Sequence, residues 1–283
     1  MALSPEAREQ VFLCAPLAVQ MLRRYGMHLY ETGGRLYELR HLFVVAQQTF
    51  PLLRPAMGPA WQLVTQWEEL QPVSHRRPLP EVLYKALVAL SVFWGWRRFA
   101  GVLVLGMQGI GRIGEVLSAR RSDLLLPLDL FEADRKTVFL RVSKPKTHRR
   151  GKGRVQHLRI ENAEVVALLQ SVFGHLSEYL PLFPLSAAAF RTRWEKLLNC
   201  LQIPVELRPT PSSIRGGGAI MAYKRGEPIN NILWRMRLVA QSTLESYLQE
   251  LAAESFLQRL PENTKVRIRF AASFYTSALS HQA

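Results

Sequence analysis

The feature that most constrains this chain is a pair of strand-forming runs set in a sequence that otherwise reads largely as helix. Thr137-Val138-Phe139-Leu140-Arg141-Val142 and Val155-Gln156-His157-Leu158-Arg159-Ile160 are β-branched or alternate apolar with polar residues, the period of a half-buried strand. Between them runs Lys144-Pro145-Lys146-Thr147-His148-Arg149-Arg150-Gly151-Lys152-Gly153-Arg154, a loop with the proline and glycines that turning requires. Leu124 to Leu128 is a candidate third strand.

Helical spacing governs the rest. Leu36, Leu39, Leu42, Phe43 and Ala46 share one face, as do Trp61, Val64, Trp67 and Leu70, with Pro51, Pro55 and Pro59 between them. Residues 71–80, polar, basic and rich in proline, are the best linker. A long apolar helix is expected from Glu81 to about Leu105, and another from Arg112 to Arg120. Asn162 and Ser186 are N-cap residues for two more. The final third predicts helices near 212–225, 228–236 and 242–257, with Gly226 ending the first and Pro228 starting the second. No internal repeat or low-complexity tract is present in the sequence.

Charge narrows the function. Thirty-seven Lys and Arg face 22 Asp and Glu, a net +15, and the pI is near 10.4. A basic excess can serve solubility alone, but here it is focused: Arg141 to Arg154 holds seven cations and no acid. That points to a polyanion, nucleic acid first. Hydrophobic content of 48% and mean hydropathy of −0.01 mark a globular chain with ample length for a core. The longest apolar stretch, Tyr84 to Gly101, contains Lys85, Arg97 and Arg98, so it reads as a buried helix and not a membrane span. Glu6, Arg8 and Glu9 interrupt the place of a secretory signal, and Cys14 with Cys200 makes no disulfide framework. The expectation is a reducing intracellular compartment, nuclear or nucleoid-associated.

Two motifs a hundred residues apart carry chemistry. The first is Gly109-Ile110-Gly111-Arg112-Ile113-Gly114-Glu115-Val116-Leu117, continuing to Arg120-Arg121-Ser122-Asp123-Leu124. The second is Ser212-Ser213-Ile214-Arg215 followed by Ser242-Thr243-Leu244-Glu245-Ser246-Tyr247. The first is also a literal G-x-G-x-x-G with Asp134 about twenty residues on, the pattern of a dinucleotide site in an NAD(P)-binding oxidoreductase. That reading needs a strand before the glycines and an alternating βα series after them, and Asp134 sits in what reads as a turn. Ser242 with Glu245 reads as a capping box, placing Tyr247 in the second turn of a short helix. Gly216-Gly217-Gly218 inside a helix cost about 1 kcal/mol each relative to alanine, which implies close backbone packing there.

Together the two motifs resemble the catalytic boxes of the tyrosine recombinase (phage integrase) superfamily, including its mobile-element branches in eukaryotes. The resemblance runs from about Pro80 to Leu251. It implies a mainly α (α+β) fold, with a helical N-terminal domain over 1–75 and a catalytic domain over 76–260. That domain would be built of helices with a small antiparallel β-sheet, leaving 261–283 as a tail. It also implies strand cleavage and rejoining in double-stranded DNA through a 3′-phosphotyrosyl link, with no cofactor and no metal, and self-association on DNA as a tetramer. Tyr247 would be the nucleophile, Arg112 and Arg215 the phosphate-binding arginines, and Lys146 (or Lys144) the proton donor from the β-hairpin. Lys144, Arg149, Arg150, Lys152 and Arg154 would contact phosphates. Glu115 and Asp123 would hold the first helix and its exit.

Two positions depart from the family pattern. The superfamily has His-x-x-Arg where this chain has Ser212-Ser213-Ile214-Arg215, and a hydroxyl bonds a phosphate oxygen but accepts a proton poorly. Nine residues before the tyrosine, where histidine or tryptophan is usual, stands Leu238. Either Arg235 or Arg237 takes over that role, or the chain is a decayed element product that binds DNA without cleaving it.

Overall fold

The structure is a computed structural model that describes residues 12, 14–71, 77–130, 136–142, 156–238, 241–245, 247–248 and 250–280, with side chains omitted at 242–243 and 250–252. Two compact units divide it, Met1–Ser74 and His75–Ala283.

The first unit contains helices α1 (Ala15–Glu31), α2 (Leu36–Thr49) and α3 (Gly58–Leu70), with a 3-10 turn at Pro51–Ala56. The prolines start elements or shape the tight turn, positions where a missing N–H costs little. Leu39, Phe43, Met57, Val64 and Trp67 form its buried core, the stripe that the apolar spacing marks out.

The second unit begins with α4 (Glu81–Phe93) and α5 (Arg97–Gln108). The single long helix expected here is two, because Gly95 adopts φ +71° and turns the chain. Every residue from Phe99 to Gln108 is buried, which is why no polar face shows in that stretch. A five-residue helix, α6 (Ile113–Leu117), follows in place of the longer one expected from Arg112 to Arg120. Strands β1 (Leu124–Leu125), β2 (Val138–Val142) and β3 (Gln156–Ile160) form an antiparallel meander in the order β1-β2-β3. Leu140 faces Leu158 in register, and Val138, Leu140, Leu158 and Ile160 point into the core. His157 and Arg159 take the alternate positions.

Helices α7 (Ala163–Phe173), α8 (Ala187–Cys200), α9 (Ser213–Lys224), α10 (Ile229–Met236), α11 (Gln241–Glu245) and α12 (Glu250–Gln258) follow in the second unit. Asn162 Oδ1 accepts from Val165 N at 3.0 Å, and Ser186 Oγ accepts from Ala189 N at 3.1 Å, so both N-caps form as the sequence indicates. The expected 242–257 helix is two pieces, and α11 is described from Gln241, so Ser242 lies inside it and not at its cap.

A correction applies to 261–283. Those residues hold α13 (Glu262–Ser273) and α14 (Tyr275–Ser280), not a tail. Ile268, Ala271, Tyr275 and Leu279 are buried in the main core, and the Tyr275 and Tyr84 hydroxyls meet at 3.1 Å. Alternation of basic and apolar residues in Lys265-Val266-Arg267-Ile268-Arg269-Phe270 masks the helical face in the sequence.

Three facts position the site. At Gly217 a Cβ would stand 2.3 Å from Leu79 O, and at Gly218 2.2 Å from Met107 O. The glycine run therefore lets α9 press directly on the backbone of α5 and of the segment before α4. Gly111 leaves room for Leu158, whose Cδ1 would lie 2.6 Å from a Cβ there, so the turn after α5 packs on β3. No described helix is long and apolar enough to cross a membrane.

Candidate active site

The turn after α5 sets the first arginine. Gly111 N donates to Gly106 O at 2.9 Å and closes the helix end. Ile110 within that turn has φ +52°, costly for a β-branched residue. It places the Ile110 side chain in a small buried cluster with Ala219, Ile232, Met236 and Leu244. Arg112 then begins α6, where Glu115 reaches back to its N–H at 3.4 Å and pairs with its guanidinium at 3.1 Å. Asp123 accepts from Arg120 N at 3.1 Å and from Arg141 at 3.2 Å, fixing the exit of the same segment.

Arg215 lies in the first turn of α9 and is only 4% exposed. Its Nη2 donates to Met236 O. Its Nε and Nη1 have no hydrogen-bond partner among the described residues. Arg237 ends α10 in the left-handed region, φ 57° and ψ 40°, where glycine is the usual occupant. Its Nη2 bonds the second oxygen of Glu115, and its Nε and Nη1 are likewise without partners. One carboxylate thus serves two arginines while a third stands close by.

The electrostatics follow from that imbalance. Burial lowers the Arg215 pKa to about 10, helped by the neighbouring Arg112 and Arg237 charges and opposed by Tyr247 and Glu115. Guanidiniums forced together with N–H groups unspent form a seat for an anion that accepts from several donors at once. A tetrahedral phosphate has the shape and the acceptor count.

Tyr247 stands directly after α11, its N–H bonded to Leu244 O at 2.8 Å, and not in a second helical turn. The Arg215 guanidinium carbon lies 5.7 Å from the centre of its ring. Tyr247 is half-buried and packs against the cluster of Ile110, Ala219, Ile232, Met236 and Leu244. The structure thus brings Arg112, Arg215 and Tyr247 together.

Other candidate residues are distributed differently. Ser212 is exposed just before α9 and makes no side-chain cap bond. Arg235 pairs with Glu227 and donates to Gln108 O, tying α10 to the end of α5. Lys144, Lys146, Arg149, Arg150, Lys152 and Arg154 lie outside the described residues. The dinucleotide reading of Gly109 to Gly114 is overturned: helix α5 precedes the glycines, and among the described residues the sheet is antiparallel with no βαβ unit. What the sequence did not separate was Arg237 from Arg235. Their spacing is uninformative, and only the backbone turn at the end of α10 aims one at Glu115 and the other at Gln108.

Comparison with known proteins bears on the fold. No protein-family model matches the chain, and no curated protein matches it. Among solved structures, the Tn1549 transposon integrase in complex with circular intermediate DNA matches 85% of this chain and 85% of its own, with TM-score 0.56 and 13% identity. The same integrase in complex with transposon right end DNA matches 85% and 84%, with TM-score 0.54 and 13% identity. A XerA recombinase structure covers 67% of this chain and 65% of its own length, with TM-score 0.47 and 15% identity. The chain is therefore an α+β protein with the tyrosine recombinase (integrase) fold.

Proposed function

We propose that this protein cleaves and rejoins DNA through Tyr247, with Arg112, Arg215 and Arg237 holding the reacting phosphate. One observation carries the reading: Arg215, buried against the Tyr247 ring, keeps two nitrogens without partners among the described residues, beside a second guanidinium in the same state. An unpaired buried donor is costly, so a fold that retains several in one place is built around a ligand that satisfies them. The transposon integrase of like fold is bound to DNA, and the net charge of +15 suits the same partner.

In the reaction, Tyr247 Oη bonds to phosphorus, the bond from phosphorus to O5′ breaks, and the tyrosine proton passes to solvent water. The departing O5′ takes up a proton, for which Lys146, or Lys144, of the basic loop is the candidate donor. Energy stored in the 3′-phosphotyrosyl bond lets a second 5′-hydroxyl reverse the step. Charge growing on the non-bridging oxygens falls to the arginines, and Arg237 takes the place where Leu238 leaves no polar group. Ser212 supplies at most a hydroxyl to the phosphate. Recombination of this kind needs paired DNA ends, hence assembly of several copies on DNA in the compartment that holds it.

A second reading, a DNA-binding protein that no longer cleaves, is favoured by the exposed Ser212 where the superfamily has histidine. A nicked substrate that loses its 5′-hydroxyl fragment after cleavage separates the two. Wild type is expected to yield a detergent-stable protein–DNA adduct, and Tyr247→Phe to yield none while binding DNA as before. An adduct that survives in Tyr247→Phe moves the role elsewhere, with exposed Tyr223 next. Tight binding without any adduct from wild type supports the silent reading.

A further inference from the structure

A polar cavity of about 580 Å³ opens between β3 and α10. Its wall includes Gln108, at the end of α5 before the turn that carries Arg112, and Arg235, two residues before Arg237. Three guanidiniums, Arg159, Arg225 and Arg235, line it together with the carboxylates of Glu161 and Glu227. Arg159 pairs with Glu161, Arg235 with Glu227, and Arg225 with Glu81 at 3.5 Å. Charge here is close to balanced, unlike the arginine cluster beside Tyr247. The lining is suited to a planar group with hydrogen-bonding edges more than to a bare phosphate.

Trp234 forms part of the same wall and is 60% exposed. It has no part in the core of α10, which is made by Ile232 and Met236. Its ring is held all the same. His157 meets it edge-on at 5.4 Å, and His157 in turn meets Phe139 at 5.7 Å, a ladder of rings from β2 across β3 to α10. An edge-on contact covers at most one face of the indole and leaves the other open to a flat partner.

Bases inside a duplex have both faces covered by their neighbours, so an indole can stack only on a base that has left the stack. We propose that Trp234 and this cavity hold a single unpaired nucleobase beside the phosphate seated by Arg112, Arg215 and Arg237. The indole stacks on the base, and Asn231 and the lining arginines bond its edge. Freeing that base unpairs the strand next to the break, which eases departure of one 5′ end and entry of another. The inference rests on the reading that the arginine cluster binds DNA.

The test compares two duplexes of one sequence at one salt concentration, one fully paired and one carrying a single unpaired 2-aminopurine, with the full chain as wild type, Trp234→Ala and Trp234→Phe. Trp234 is exposed, so both variants should fold, which circular dichroism checks. Wild type should prefer the unpaired duplex by roughly 5- to 150-fold, the range for losing one aromatic stack, and should quench the aminopurine emission. Trp234→Ala should bind both duplexes with the wild-type affinity for the paired one, without quenching, and Trp234→Phe should fall between. Equal affinity of wild type for both duplexes overturns the inference and leaves the DNA reading standing. So does a preference that survives Trp234→Ala, or a variant that weakens both duplexes alike, which assigns Trp234 to the backbone. Wild type that binds neither duplex overturns the DNA reading and this inference together.

Discussion

Two buried arginines in the second unit are treated in opposite ways. Arg121, directly before β1, spends every nitrogen: Nε donates to Phe173 O at 3.0 Å, Nη1 to Leu124 O at 2.7 Å and Nη2 to Asp129 at 2.8 Å. Arg215 is buried as deeply, yet among the described residues it has one carbonyl hydrogen-bond partner and two cationic neighbours. Burial alone would raise the Asp129 pKa, but the Arg121 hydrogen bond, the Leu126 N–H and the Arg121 charge together hold it below its ordinary value. The same burial lowers the pKa of Arg215. The first arginine joins the β1 segment to α7 and serves the fold. The second is held at a cost to the fold, and such a cost persists where a ligand repays it.

The largest expected effect concerns Arg121. Arg121→Met takes the partner from the exposed Asp129 and the donor from the Phe173 and Leu124 carbonyls, and leaving a buried acceptor unsatisfied costs about 1–3 kcal/mol for each. Urea denaturation should show that loss. It should also show an acid limb in wild type that is weaker in the variant, where only the Leu126 N–H still favours the Asp129 carboxylate. The depressed Asp129 pKa contributes stability above the unfolded-state carboxylate range, and that contribution disappears as pH falls through the folded-state value. A change under 1 kcal/mol would break the contrast.

Next in size is Arg215→Met. Strand cleavage should fall by roughly 10²–10³, the effect of removing one preorganised donor, while stability stays level or rises, because a buried charge without full pairing is replaced by an apolar chain of like volume. The penalty on charged Arg215 is at full strength at neutral pH and lifts only as pH rises through about 10. Substantial unfolding of Arg215→Met would place this arginine with Arg121 as a structural residue.

The smallest effect is ligand stabilisation. Inorganic phosphate should raise the melting temperature of wild type, by about 1.4 kcal/mol of stability at ten times its Kd, and should do less for Arg215→Met. Arg121→Met should still respond in full. Equal responses in wild type and Arg215→Met would show the anion settling on other surface cations.

The sequence by itself determined the mostly helical architecture, the small sheet and the two N-caps, because periodicity and cap chemistry are local signals; it grouped Arg112 and Arg215 with Tyr247 only through the resemblance of its two motifs to a known family. The glycine run also announced close packing before any partner for it was known. Tertiary structure decided the rest. The break at Gly95 and the docking of α13 and α14 depend on what the surrounding core covers, which no window of sequence records. Arg121 and Arg215 are the same residue in the chain, and so are Arg235 and Arg237. Only the fold decides which guanidinium meets enough acceptors and which is left with donors to offer, because satisfaction of a buried polar group depends on atoms brought from distant elements.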